Sequence, residues 1–340
     1  MKTYLLQFSI ILFVCVSIKA QNPTILIDVD KPGHKISPTL FGIFFEDINL
    51  SADGGIYPEL IRNRSFEDSD TLQNWKFESI SGKNSASVIK ADVQARPPVP
   101  PLNPFNRKSL CIVANGKFTL KNFGYWGMNI ISGESYKFNL ASRTPDEFKG
   151  KLSVKIFSTE GKELGSGEIN QFGFDWKYSN LNITAKGSDP KAYLEISGEG
   201  VGSLYIDMIS LLPEKTWKNH GLRIDLAEAI DSLNPTLFRF PGGCWVEGDD
   251  FEHMNHWKHT IGNIDSRTPL WNIWEYNATN SLGYHEYLQL AEDLGAEPLF
   301  CINAGISHKE VVPMDQMGQW IQDALDAIEY ANGPVNSVWG

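Results

Sequence analysis

Residues 221–248 read GLRIDLAEAIDSLNPTLFRFPGGCWVEG, and this stretch decides the fold class. Leu222, Leu226, Ile230 and Leu233 recur at helical spacing. Asn234-Pro235 stops the helix, because proline has no N–H to give and its ring clashes with the preceding turn. TLFRF follows as a short apolar strand, and Pro241-Gly242-Gly243 ends it. The same unit then recurs. GYHEYLQLAEDLGAE (283–297) is a second helix with Gly295 as its stop, PLFCINAG (298–305) a second strand, and MDQMGQWIQDALDAIEYANG (314–333) a third helix. Helix and strand in alternation imply parallel βα units.

Toward the N-terminus the texture changes twice. Between 68 and 213, short alternating runs such as KLSVKIFST (151–159), AYLEISG (192–198) and SLYIDMISLL (203–212) are separated by Gly, Ser, Asn and Pro, the pattern of an antiparallel sandwich. ARPPVPPLNP (95–104) cannot occupy a central strand, and no helical pattern of any length occurs here. Before this region, TILIDVD (24–30) is strand-like and KPGHKISP (31–38) is a turn. Leu40 to Phe45 is nearly all apolar, as in a strand buried on both faces, and ends abruptly in Glu46 and Asp47. The expected architecture is α/β. It is the first part of a (β/α)₈ TIM barrel, about three strands, interrupted by an inserted antiparallel β-sandwich of jelly-roll type. The expected boundaries are 1–20 for a signal peptide, 21–67 for the first barrel strand region, 68–213 for the sandwich and 214–340 for a partial barrel. A full barrel takes about 250 residues, and only roughly 170 lie outside the leader and the insert. The alternation stops at Gly340, so an incomplete barrel is expected.

Composition narrows the partners. The 340 residues carry a net charge of -11, which argues against nucleic acid and against an anionic membrane surface. Ten Trp and eleven Tyr suit sugar-stacking surfaces, or an aromatic core. MKTYLLQFSIILFVCVSIKA (1–20) has a lysine near its start, a short apolar run and a small final residue. It reads as a secretory signal peptide rather than a bilayer span, so an exported protein is expected. After its removal Cys111, Cys244 and Cys301 remain, neither a disulfide framework nor a zinc pattern. No metal and no cofactor are indicated.

In a barrel, functional groups gather where strands end, on the C-terminal face. The first strand end offers Glu46 and Asp47, which also suit helix capping or pairing with Arg62 or Arg64. The second offers Arg239, Gly242, Gly243, Cys244 and Glu247, and the third Cys301 and Asn303. Cys244 lacks an evident His/Asn partner, so it reads as a filler and not a nucleophile. His253, His256 and His259 read as solvated loop residues, since no helical framework supports a metal site. Trp271 and Trp274 lie in a long loop after the second strand, either as a site wall or as loop core.

These stretches, with LFGIFFEDINLSADGGIYPELIRNRSFE (40–67), GYWGMNIISGESYKFNLASRTP (124–145) and LYIDMISLLPEKTWK (204–218), resemble the α-L-arabinofuranosidases of glycoside hydrolase family 51. The nearest likeness is to the secreted subgroup with a carbohydrate-binding-like sandwich inserted after the first barrel strand. The resemblance implies an exo-acting, retaining enzyme that trims arabinofuranose from plant cell-wall polysaccharide such as arabinoxylan or arabinan. It implies sugar-binding roles for Glu46, Arg239, Gly243, Cys244, Trp274 and, less directly, Asn303. Family members form oligomers, so a homo-oligomer stays open. In the family the acid/base follows an Asn in a GNE-like stretch, and the nucleophile lies on the seventh strand. Neither motif occurs here, and Glu310 and Glu329 lack that context. Both catalytic glutamates are therefore expected beyond Gly340. Two other classes remain: a plant-glycan-binding protein acting through the sandwich, with Trp126 and Trp176 either as stacking residues or as core packing, and a barrel glycosidase of other specificity.

Overall fold

The computed structural model describes residues 25–95 and 98–340, so the expected signal peptide lies outside the described residues. The chain divides at Ser37/Pro38 into two compact units. In the first, residues 25–37 form turns and irregular backbone. The strand expected over TILIDVD does not form, and Ile25, Leu26, Ile27 and Val29 are exposed. An alternating apolar run becomes a strand only against a partner edge, and none pairs with it among the described residues.

Among the described residues, the second unit holds all the regular structure. Its strands are β1 (Gly42–Phe44), β2 (Trp75–Gly82), β3 (Ser85–Lys90), β4 (Lys108–Asn122), β5 (Met128–Ile130), β6 (Ser135–Arg143), β7 (Lys149–Phe157), β8 (Glu163–Ile169), β9 (Lys177–Thr184) and β10 (Asp189–Pro213). Helix α1 (Ile224–Asp231), β11 (Leu237–Phe240), helix α2 (Gly243–Glu247), β12 (Leu270–Trp271), β13 (Asn277–Ala278), helix α3 (Tyr284–Leu294), β14 (Glu297–Phe300) and helix α4 (Gly318–Asn332) complete it.

Strands β2 to β10 make one nine-stranded sheet in which every pairing is antiparallel. β10 is its spine. Residues 194–201 of β10 run beside both β4 and β7, and residues 205–213 run beside β6. On that side the partner changes from β7 to β6 between Val201 and Tyr205, and the pairing with β6 shifts register between Asp207 and Ser210. Alternate side chains from these strands share one core, including Leu110, Phe118, Phe138, Val154 and Ile196. Ile61 and Phe66, from the segment before the sheet, join it. Buried Glu59 stitches that segment down. Its Oε1 accepts the N–H groups of Ile61 (2.9 Å) and Leu211 (3.0 Å), and its Oε2 accepts the Ser210 hydroxyl at 2.5 Å.

The second core surrounds a three-stranded parallel sheet in the order β1-β11-β14. Its strands pair in register, with Phe44 beside Arg239 and Arg239 beside Leu299. Phe238 and Phe240 are fully buried and point toward the helices, where Phe240 stacks on Tyr287 with centroids 5.0 Å apart. Period-2 alternation then turns Arg239 to the opposite face, beside Phe44. Helix α3 ends as its sequence predicts, at Gly295 in the left-handed region. β1 does not. Leu40, Phe41 and Phe44 are 62%, 67% and 48% exposed, not buried on both faces. β1 is an edge strand with one partner, β11, and on the Phe44 face Arg239 is laid over the ring.

Candidate functional site

The site is organised by the C-terminal end of β11. The chain leaves Phe240 through Pro241-Gly242, and Gly242 caps the short helix α2. The Gly242 N–H donates to Glu46 Oε2 at 3.0 Å, across 196 residues of sequence. A Cβ at Gly242 would lie 2.4 Å from that same oxygen and 2.7 Å from the Phe44 ring. Gly242 is therefore glycine so that Glu46 can reach its backbone. Gly243, marked from sequence together with Gly242, has no such constraint, since the nearest atom to its Cβ would be Glu247 Oε1 at 3.8 Å.

Burial pushes the Glu46 carboxyl above its ordinary value, against the opposing pulls of the Gly242 N–H and the Arg239 charge. Arg239 thus favours the ionised form, but desolvation outweighs it. Its guanidinium lies 4.9 Å from the Phe44 ring centroid, a cation–π contact that fixes its direction. Asp47 is buried more deeply. Its carboxyl is pushed up to about 7 by burial and by nearby Asp53, although the Ala52 N–H and Tyr276 pull the other way. Neither Glu46 nor Asp47 pairs with Arg62 or Arg64. Arg64 pairs instead with Glu59 (3.8 Å) and Asp265 (3.6 Å).

Trp274 sits in a tight turn between β12 and β13. Asn272 Oδ1 accepts the Trp274 N–H at 2.9 Å, and Glu275 adopts a φ of 63°. The turn is clamped to the loop after β1, because the Tyr276 hydroxyl donates to the Asp47 carbonyl at 2.6 Å and accepts the Leu50 N–H at 3.3 Å. Trp274 Nε1 is buried without a hydrogen-bond partner, a costly state for a donor. Trp271, by contrast, is half exposed.

Asn303 behaves differently from the rest. Its side-chain amide donates to the Val246 carbonyl (3.0 Å) and the Ile306 carbonyl (2.9 Å), and its oxygen accepts the N–H groups of Gly305 and Ile306. Its polar capacity goes to bracing the loop after β14 against α2. Cys244 is exposed on α2, not a buried filler, and all three described cysteines are free. His253 pairs with Asp250 at 2.6 Å. His256 is half-buried, and it lines a cavity of about 250 Å³ with Trp257 and Cys301. Among the described residues no cluster of His, Cys, Asp or Glu is arranged for a metal.

The structure therefore joins Glu46 to Gly242 and Arg239, hangs the Trp274 turn on neighbouring Asp47, and ties Asn303 to α2. Sequence reading missed Tyr276 and the true role of Gly242. Tyr276 could have been flagged only by pairing with Asp47, which 229 residues of chain conceal.

Comparison with known proteins gives this geometry a context. A family model described as the α-L-arabinofuranosidase 1 domain matches residues 229–340. Alpha-L-arabinofuranosidase 1 of Arabidopsis thaliana is 36% identical over 340 aligned residues, covering 94% of this chain and 48% of the relative. Homologues of this chain are named α-L-arabinofuranosidases. An extracellular exo-α-L-arabinofuranosidase of Streptomyces chartreusis is 34% identical, covering 93% of this chain and 39% of that one. The arabinose-bound structure of a family 51 α-L-arabinofuranosidase superposes with a TM-score of 0.81 at 32% identity, covering 91% of this chain and 51% of that structure. The chain thus spans about half the length of the arabinofuranosidases it matches.

Proposed function

We propose that this chain carries the sugar-binding part of an exo-acting, retaining α-L-arabinofuranosidase, exported from the cell and acting on arabinoxylan or arabinan side chains. The supporting observation is the Glu46–Gly242 pair beside Arg239 at the end of β11. A neutral furanose offers hydroxyls and an apolar ring face. Glu46 presents one carboxylate oxygen held by a backbone N–H and leaves the other for ligand hydroxyls. The open space at Gly243 suits close approach, and the exposed Cys244 and part-exposed Trp274 ring suit walls. Asn303 acts through the loop it braces. The β-sheet region and the parallel sheet serve as the sandwich and the first strands of a (β/α)₈ barrel in this reading.

Retention needs two carboxyl groups about 5 to 5.5 Å apart, one acid/base and one nucleophile. No glutamate of this chain is assigned to either role. Arg239 favours the charged form of carboxylates near it, as an ionised nucleophile requires.

Arabinose binding followed by saturation-transfer NMR tests the reading. The chain is expected to bind arabinose, and Glu46→Gln to weaken binding at least about tenfold, the loss of roughly one charge-assisted hydrogen bond. Unchanged arabinose binding by Glu46→Gln would sink it.

A further inference from the structure

The turn between β4 and β5 carries an exposed tryptophan on an unusually fixed base. Trp126 is 66% exposed. Its neighbours Gly124 and Gly127 have φ values of 65° and 99°. A Cβ on Gly124 would lie 2.9 Å from the Leu60 carbonyl, and one on Gly127 2.6 Å from Lys191 Cα. Tyr125 is pressed onto Gly54, whose Cβ would lie 2.2 Å from the ring. The Arg62 guanidinium is 5.8 Å from the centroid of the Tyr125 ring. Four glycine-dependent or aromatic contacts thus hold a ring that itself faces water.

That ring borders a cavity of about 520 Å³ between the turn and the start of α1, lined by Tyr125, Trp126, Asn129, Lys215, Arg223 and Glu228 among others. The volume is within the range of small-ligand sites, about 300–1,000 Å³. Its cations are already paired: Lys215 with Glu134 at 3.0 Å, and Arg223 with Asp225. The side chains of Asn129 and Glu228 form no hydrogen bond or ion pair with the described residues. Among the described residues no free cation remains at the cavity to select an anion, whereas an unpartnered amide and carboxylate suit hydroxyl groups. None of the Glu46 site residues lines this cavity.

We propose that the cavity is a second glycan site, separate from the Glu46 site. It takes a neutral oligosaccharide whose ring stacks on Trp126 and whose hydroxyls meet Asn129 and Glu228. The choice of a plant oligosaccharide as ligand rests on the arabinofuranosidase reading; the stacking geometry does not.

Isothermal titration of the chain with xylopentaose and, separately, α-1,5-arabinopentaose tests it. At least one pentaose is expected to bind with a Kd below about 1 mM. Trp126→Ala is expected to weaken that binding at least tenfold, and Trp126→Phe to keep part of it. Trp126 is exposed, so its loss leaves the fold intact, which circular dichroism checks. No binding of either pentaose, or equal affinity in Trp126→Ala, overturns the inference. Failure of the arabinofuranosidase reading shows separately, as arabinose binding insensitive to Glu46→Gln while the Trp126 effect persists.

Discussion

Asp47 holds two elements together by a carboxyl that the fold prefers to keep protonated. In the unfolded chain it ionises near 3.8, and in the folded chain near about 7. Between those values the folded state retains a proton that the unfolded state has released. Raising the pH through this window therefore favours unfolding, and the contribution is fully present only below the lower value. Asp68, pushed up to about 6 mainly by burial, acts in the same direction. Asp47→Asn cannot ionise but keeps an acceptor for the Ala52 N–H. It is expected to gain stability relative to the unaltered chain as pH rises from about 4 to 7, by on the order of 3 kcal/mol. Urea unfolding at several pH values measures this, and parallel stability curves for the two proteins would refute it.

At the scale of elements, the two adjacent glycines after β11 make opposite predictions. Gly242 has φ -87° and ψ 173°, which alanine adopts without strain. The cost of Gly242→Ala is therefore a clash with Glu46 and Phe44, expected at about 1–3 kcal/mol and accompanied by weaker arabinose binding. Gly243→Ala meets open space in the first turn of α2, so it is expected to stabilise by up to about 1 kcal/mol. Thermal melts of the two variants separate these outcomes. The sequence revealed this turn but not which glycine served which purpose, because the partner of Gly242 comes from β1. The helices were legible because their signals are local: Pro235 ends one and Gly295 another. β1 was misread for the complementary reason. Apolar residues declare which side chains favour burial, not whether anything covers them. Leu299 on β14 and Ile321, Leu325 and Ile328 on α4 repeat the lesson, being apolar in pattern and exposed in the structure.

Across the whole molecule, the interruption of a parallel α/β pattern by antiparallel strands was legible from composition alone, since helical periodicity vanishes between 68 and 213. The Glu59 tether was not, because nothing local distinguishes a buried carboxylate from a solvated one. Its partner Ser210 lies 151 residues away. The same separation carries a kinetic consequence. β1 and β11 are neighbours in the sheet, yet the bond between Thr236 and Phe41 at their base closes a loop of 195 residues. Closing so long a loop through disordered chain is slow, and the antiparallel strands inside it shorten the gap once they have formed. Refolding should therefore proceed from the inside outward. In pulsed hydrogen exchange, the amides of β4 and β10 are expected to gain protection before those of β11 and β14. Simultaneous protection, or protection of β11 first, would mean that the parallel sheet nucleates without waiting for its insert.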